Sequence, residues 1–314
     1  MHRQNIAGLS IKGGRQDNFF FCLLEYFPES KRWFLSSMLQ VKDEEGLGGD
    51  EAIRSWIGRY GTRDLVVDFP LTSPPCMDCR RQCPGIEKCP VPEVESVRNQ
   101  MKGILEVDEQ RREKDPKAYE RERNQYEQFD YSKSVLHKET DHHILSRSFK
   151  RRLKKGFLPY WNRPLDFWVW RHFYDPVLDL FNVSYDSFGN TSIMVMSRMA
   201  YLRRHFPPEL TLYEGNYYIT MIELLRAGII KRQEIDQLDD LELGAQGRLE
   251  VIKKIEAACS IFIYEHDLEL ITQNPRAFDS FMLALAGQAL LSHKSQELPE
   301  WADPGPSRLI VPRF

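Results

Sequence analysis

The sequence predicts an α/β chain built on a mixed sheet, and three observations carry that reading. Three segments rich in β-branched and aromatic residues follow one another across turn-forming breaks. An amphipathic helix then leads into a short apolar strand that ends at Asp68-Phe69-Pro70. The last third alternates helices with two more short strands.

In order, strands are expected over 4–10, 18–27 and 32–41, separated by the turn chemistry of KGGRQD and PESK. A helix capped by Asp50 and ended by Gly61 carries Ile53, Trp56, Ile57 and Tyr60 at helical spacing. Leu65 to Phe69 reads as a buried strand stopped by Pro70. From 98 to 155 both charge signs abound and large apolar residues are few, which predicts a solvated helical insertion. An aromatic run from Phe157 to Tyr174 follows, interrupted by Pro164 and Pro176. A helix over 192–205 should turn Ile193, Met196, Met199 and Ala200 to the core, and a strand over 210–213 leads to Glu214. Met221, Leu224 and Leu225 mark a short helix, and Leu249, Ile252, Ile255 and Phe262 one over 246–265. A helix over 278–291 begins beside Asp279, and Leu309-Ile310-Val311 forms a closing strand. The expected organisation is 1–75 and 156–314 as two parts of one α/β domain, with a cysteine loop at 76–97 and the charged insertion at 98–155 between them.

A composition of 42% hydrophobic and 28% charged residues is that of a soluble globular protein. The 314 residues suffice for one large domain or two ordinary ones. No apolar run approaches the roughly 18 residues of a membrane span, and the first residues lack a secretory pattern, so a cytoplasmic protein without a membrane partner is expected. The net charge of −3 argues against a strongly basic nucleic-acid coat while leaving room for a local basic patch. No G-x-S-x-G, P-loop or H-E-x-x-H pattern is present.

Cys76, Cys79, Cys83 and Cys89 form a C-x2-C-x3-C-x5-C run, with Pro75, Pro84, Gly85 and Pro90 supplying turns. Four soft thiolates in one loop suit tetrahedral Zn²⁺, or alternatively a 4Fe-4S cluster. The spacing departs from the ferredoxin run, which favours zinc. A closed set of four thiolates leaves no open position, so the zinc would be structural and would order a loop that has little apolar core. Cys22 and Cys259 lie among apolar residues and read as core.

Three carboxylates stand at element ends, where open α/β sheets place their sites: Asp68, Glu214 and Asp279. If they converge they can hold one or two Mg²⁺ ions; taken singly, each is as well explained as a cap or a solvated charge.

The order of these motifs resembles the widespread, uncharacterised RNase H-like predicted-nuclease family. The likeness lies in VVDFPL (66–71), LYEGNYY (212–218), FDSFMLALAGQALL (278–291) and SRLIVP (307–312). It spans most of the chain apart from the cysteine loop and the charged insertion. It implies an RNase H-like sheet of three antiparallel strands followed by parallel ones. It also implies that Asp68, Glu214 and Asp279 hold Mg²⁺ or Mn²⁺ for phosphodiester hydrolysis. The chain departs from the family at the end of the first strand, where Ser10 stands in place of an aspartate. That carboxylate normally bridges two metals, so its loss weakens or abolishes catalysis. Asp17, across the turn that holds Gly13 and Gly14, is the one nearby substitute.

Arg147, Lys150, Arg151, Arg152, Lys154 and Lys155 precede the aromatic run, and together they have the ingredients of a single-strand nucleic-acid surface. A solvated helix face beside an aromatic core is the plainer explanation. His137, His142 and His143 form a polar cluster just before the basic stretch. Three functional readings follow: a metal-dependent nuclease, an inactive binding module of the same fold for nucleic acid or protein, and an iron–sulfur redox sensor. The sequence does not specify an oligomeric state.

Overall fold

The computed structural model describes residues 4–11, 19–43, 46–127, 144–185, 192–236, 238, 240, 243–303 and 308–314. Along the chain run β1 (Gln4–Ser10), β2 (Phe20–Phe27), β3 (Arg32–Gln40), α1 (Gly49–Tyr60) and β4 (Asp64–Val67). Helices α2 (Pro92–Lys114), α3 (Pro116–Glu127), α4 (Arg147–Lys154), α5 (Pro164–Phe181) and α6 (Ser192–Leu202) come next. They are followed by β5 (Thr211–Glu214), α7 (Tyr217–Arg226), α8 (Gly244–Cys259), β6 (Ile261–Phe262), α9 (Glu265–Gln273), α10 (Pro275–Leu291) and β7 (Arg308–Leu309). No described helix is long and apolar enough to cross a membrane.

The chain forms two compact units. The first comprises Met1–Leu71, Phe188–Glu297 and Gly305–Phe314 and holds every described strand. Its mixed sheet runs β6-β3-β2-β1-β4-β5-β7. The pairs β1–β2 and β2–β3 are antiparallel, while β1–β4, β4–β5, β5–β7 and β3–β6 are parallel.

Alternation along β1 sorts its side chains onto two faces. Ala7, Leu9 and Ile11 join Phe21, Leu23, Leu65 and Val67 in a core around Trp56, Ile53 and Ile57 of α1 and Val195, Met199 and Leu202 of α6. The opposite face meets α10. There a Cβ on Gly8 would lie 2.2 Å from the Ser280 carbonyl and 2.5 Å from the Ala284 nitrogen, and one on Gly287 would lie 2.3 Å from Ile6. Only bare backbone lets this helix lie so close to the sheet. The same contacts set direction: Ile6, Gly8 and Ser10 meet Gly287, Ala284 and Ser280 in turn, so α10 runs antiparallel to β1.

Several expectations shift. Gly48 caps α1, while Asp50 sits in its first turn and pairs with Arg198. In α6, Val195, Met199 and Leu202 are buried, whereas Ala200 is exposed. The helix expected over 246–265 is two helices and a strand: Ser260 enters the left-handed region at φ 53° and ends α8, and Phe262 lies in β6, partly exposed. Asn274 caps α10 through the Arg276 amide, so that helix begins four residues before Asp279 and buries nearly all of its circumference.

The second unit comprises Thr72–Ser187 and Leu298–Pro304. Its core is α5, where Phe167, Trp168, Trp170, Phe173 and Val177 are buried. Pro164 starts this helix at N1, where no amide partner is lost, and Pro176 is carried inside it. The charged segment forms α2, α3 and α4 with a buried stripe: Val94, Val97 and Met101 from α2, Tyr119 from α3, and Phe149 and Leu153 from α4.

Candidate carboxylate site and cysteine loop

Parallel pairing sets β1, β4 and β5 side by side with their C-terminal ends at one edge. Leu9 lies beside Val67, and Val67 beside Glu214. The next residues on β1 and β4 are therefore Ser10 and Asp68, about one strand spacing of 4.8 Å apart. They are bonded: the Ser10 hydroxyl donates to Asp68 Oδ2 at 2.6 Å, and the Ile11 amide donates to Oδ1 at 3.0 Å. The Ser280 hydroxyl accepts from the Ser10 amide at 3.3 Å and donates to the Phe20 carbonyl at 2.9 Å, which ties α10 to this edge.

Asp279 precedes Ser280 on α10, at the same edge. One turn further along α10, Leu283 sits where a Cβ on Gly215 would strike it, just past the end of β5. Residues four apart share a helix face, so Asp279 stands over the ends of β4 and β5, level with Ser10. It is 8% exposed.

Glu214 leaves the edge in the other direction. It shares the parity of Leu212, which packs on the Trp56 core, whereas Gly215 faces α10. Its Oε1 accepts the Leu71 amide at 2.6 Å. The structure thus joins Ser10 to Asp68 on the α10 face, with Asp279 next to Ser280 on the helix turn that meets this edge, and sets Glu214 on the other face. Among the described residues no three His, Cys, Asp or Glu side chains form a ready metal-ligand group. Ser280 is the member that sequence reasoning missed, and its only local signal is its place beside Asp279.

In the second unit the cysteine loop is folded by backbone bonds. The Cys76 amide donates to the Pro159 carbonyl at 2.9 Å, and the Cys79 amide to the Cys76 carbonyl at 3.4 Å, closing the first C-x2-C turn. Gly85 takes φ 93° and leads into a 3-10 turn over Ile86–Lys88, and the Cys89 amide donates back to the Ile86 carbonyl at 3.3 Å. Arg98 of α2 donates to the carbonyls of Ile86 and Cys89 at 2.8 Å and 3.4 Å. All four thiols are unbridged. Burial pushes the Cys76 thiol up, and the neighbouring Cys89, Cys79 and Cys83 push it the same way. Four unbridged thiols in one loop are the donor type and number a thiophilic ion takes, although no three of them stand at one point. Cys22 is fully buried and Cys259 half-buried.

The basic segment spends much of its charge within the second unit. Arg147 bonds Glu120, Asn124 and Glu127, and Lys150 bonds Asp108 and Glu109. The Arg152 guanidinium lies 3.6 Å from the centre of the Trp170 ring. Arg151, Lys154 and Lys155 are exposed. Gly13, Gly14, Asp17, His137, His142 and His143 lie outside the described residues.

No family model, curated protein or solved structure matches the chain.

Proposed function

We propose that the chain is an RNase H-like module of nuclease ancestry, acting on nucleic-acid phosphodiesters through a site reduced to a single divalent ion. Asp68 and Asp279 are the residues that would hold Mg²⁺ or Mn²⁺, and Ser10 takes the place of the bridging carboxylate. One observation supports the reading: Ser10 and Asp68 are bonded at the C-terminal edge of the central strands, on the face where the α10 turn bearing Asp279 and Ser280 meets them. An ion bound there supplies electrostatic stabilisation to the phosphodiester. Two carboxylates with all-oxygen donors suit one hard cation. Glu214 then has a positioning role, since its bond to the Leu71 amide fixes the segment that follows Asp68. The cysteine loop in this reading holds structural zinc.

A second reading, an inactive binding module, is favoured by the bonding of Asp68, both of whose oxygens already accept internal hydrogen bonds. Cleavage of single-stranded, duplex and hybrid substrates with Mg²⁺ or Mn²⁺ separates the two. Turnover that is lost in Asp68→Asn and in Asp279→Asn supports the enzyme. Metal-independent binding without turnover supports the module.

A further inference from the structure

The first unit carries a hollow of about 340 Å³ lined by Leu71, Arg203, Phe206, Pro207, Pro208, Leu210, Thr211 and Leu212. Its size lies in the range of small-ligand sites. Arg203 and Arg204 sit on the 3-10 turn Arg203–His205 just after α6, and both are exposed. Neither has an ion-pair or hydrogen-bond partner for its side chain among the described residues. Tyr201 is 47% exposed, and its ring packs edge-on against His205 with centroids 4.9 Å apart. Glu209 is the exposed acid on the same loop, so the patch keeps a net positive charge. Leu71 ties the hollow to Glu214, which accepts its amide, on the sheet face opposite Asp68 and Asp279. Thr211 in the hollow and Glu214 at the edge lie three residues apart on β5, about 10 Å.

We infer that this patch holds single-stranded nucleic acid, with backbone phosphates on Arg203 and Arg204 and a base stacked on Tyr201 or seated in the hollow against Phe206. Two exposed guanidiniums without partners among the described residues, the exposed Tyr201 ring and a concave floor meet both needs of a single strand: charge for the backbone and flat surface for the bases. The inference rests on the reading above for the class of ligand. It assigns the contact to the first unit rather than to the basic segment at 147–155, where Arg147 and Lys150 are already paired.

The test is fluorescence anisotropy of the full chain with a labelled oligothymidylate in EDTA, across a salt series. Arg203→Gln/Arg204→Gln should weaken binding at least about tenfold and reduce the log–log salt slope by roughly 1.4, for two phosphates at about 0.7 each. Tyr201→Ala should weaken binding about tenfold and leave the slope unchanged. Lys253→Gln, an exposed cation on α8, should bind as the unmodified protein does. Undiminished binding by the double arginine variant overturns the inference, as does loss of binding confined to Lys154→Gln/Lys155→Gln. Displacement of the oligonucleotide by polyglutamate at equal charge also overturns it, since the patch then takes any polyanion or an acidic protein. The two readings fail separately. Arginine-dependent binding without cleavage removes only the catalytic reading, and cleavage unaffected by the arginine variants removes only this one.

Discussion

Ser10 and Asp68, 58 residues apart in sequence, are joined by a 2.6 Å hydrogen bond at the ends of adjacent parallel strands. In the proposed function this hydroxyl takes the place of a second carboxylate. Ser10→Asp puts two carboxylates about one strand spacing apart, a pair that repels unless a cation intervenes. The variant is expected to gain a Mg²⁺- or Mn²⁺-dependent rise in melting temperature larger than that of the unmodified protein. Any phosphodiester cleavage should rise at least about tenfold. Differential scanning fluorimetry with and without metal checks the first outcome, and an unchanged metal response counts against the single-ion site.

Lys150 bonds Asp108, whose side chain is 1% exposed and also accepts the Tyr119 hydroxyl at 2.7 Å. Burial and the Asp108 contact push the Tyr119 phenol up, so it stays a donor. Lys150→Met leaves the Asp108 charge buried without its cation and should cost about 3–5 kcal/mol. Oligonucleotide affinity of the folded variant should not change. Lys150→Met/Asp108→Leu should recover much of the loss, since an apolar pair removes the stranded charge. Urea denaturation of the two variants checks the sequence of effects.

Asp175 on α5 is pushed up to about 6 by burial and by the nearby charges of Glu127 and Asp179, against a stabilising bond from Ser146. Ser146 caps α4 through the Phe149 amide, so the carboxyl braces a helix start. A carboxyl whose folded pKa exceeds its unfolded value of 3.8 binds its proton more tightly when folded. Its contribution is therefore fully present below about pH 4 and is lost as pH rises through about 6, by on the order of 3 kcal/mol. Asp175→Asn should flatten this part of the stability profile between pH 4 and 7 and be the more stable form at pH 7, measured as denaturation midpoints across that range.

The parts of the fold legible in sequence are those whose signal is local. Runs of β-branched and aromatic residues and the turn chemistry between them define β1 to β3 closely. The break after α8 was hidden because Ser260, rather than glycine, takes the left-handed cap. Pro176 suggests an interruption, yet Phe173 and Val177 are buried on either side of it and packing carries the helix through. The ends of Asp68 and Asp279 could be placed at an edge from sequence, but the turn of Glu214 to the other face depends on strand parity counted from β5's own start. The neutralised state of Arg147 and Lys150 rests on partners 20 to 42 residues away, beyond any local pattern.

The cysteine loop has few apolar contacts of its own, since Cys79, Cys83 and their neighbours are exposed. Its order should therefore follow metal occupancy. Purified protein is expected to carry about one zinc per chain, released by Cys79→Ser with a fall in melting temperature of the second unit. A visible charge-transfer absorbance with matching iron and sulfide would assign the loop to an iron–sulfur cluster instead. Metal analysis by mass spectrometry, with thiol titration before and after a chelator, distinguishes these outcomes.

Gly8 and Gly103 should respond to alanine with opposite signs. At Gly8 the added Cβ meets the Ser280 carbonyl and the Ala284 nitrogen, both backbone atoms that no rotamer change can clear. Helix α10 must move off β1, at a cost of about 1–3 kcal/mol or more. That shift also draws Asp279 away from Asp68, so Mn²⁺ affinity in the proposed site should fall along with stability. Gly103 lies inside α2 with nothing within 4 Å of a built Cβ and no left-handed φ. Gly103→Ala should stabilise by about 0.5–1 kcal/mol, because alanine loses less backbone freedom on entering a helix. Urea midpoints measure both, and a neutral Gly8→Ala would show that α10 does not press on the sheet at Ser280.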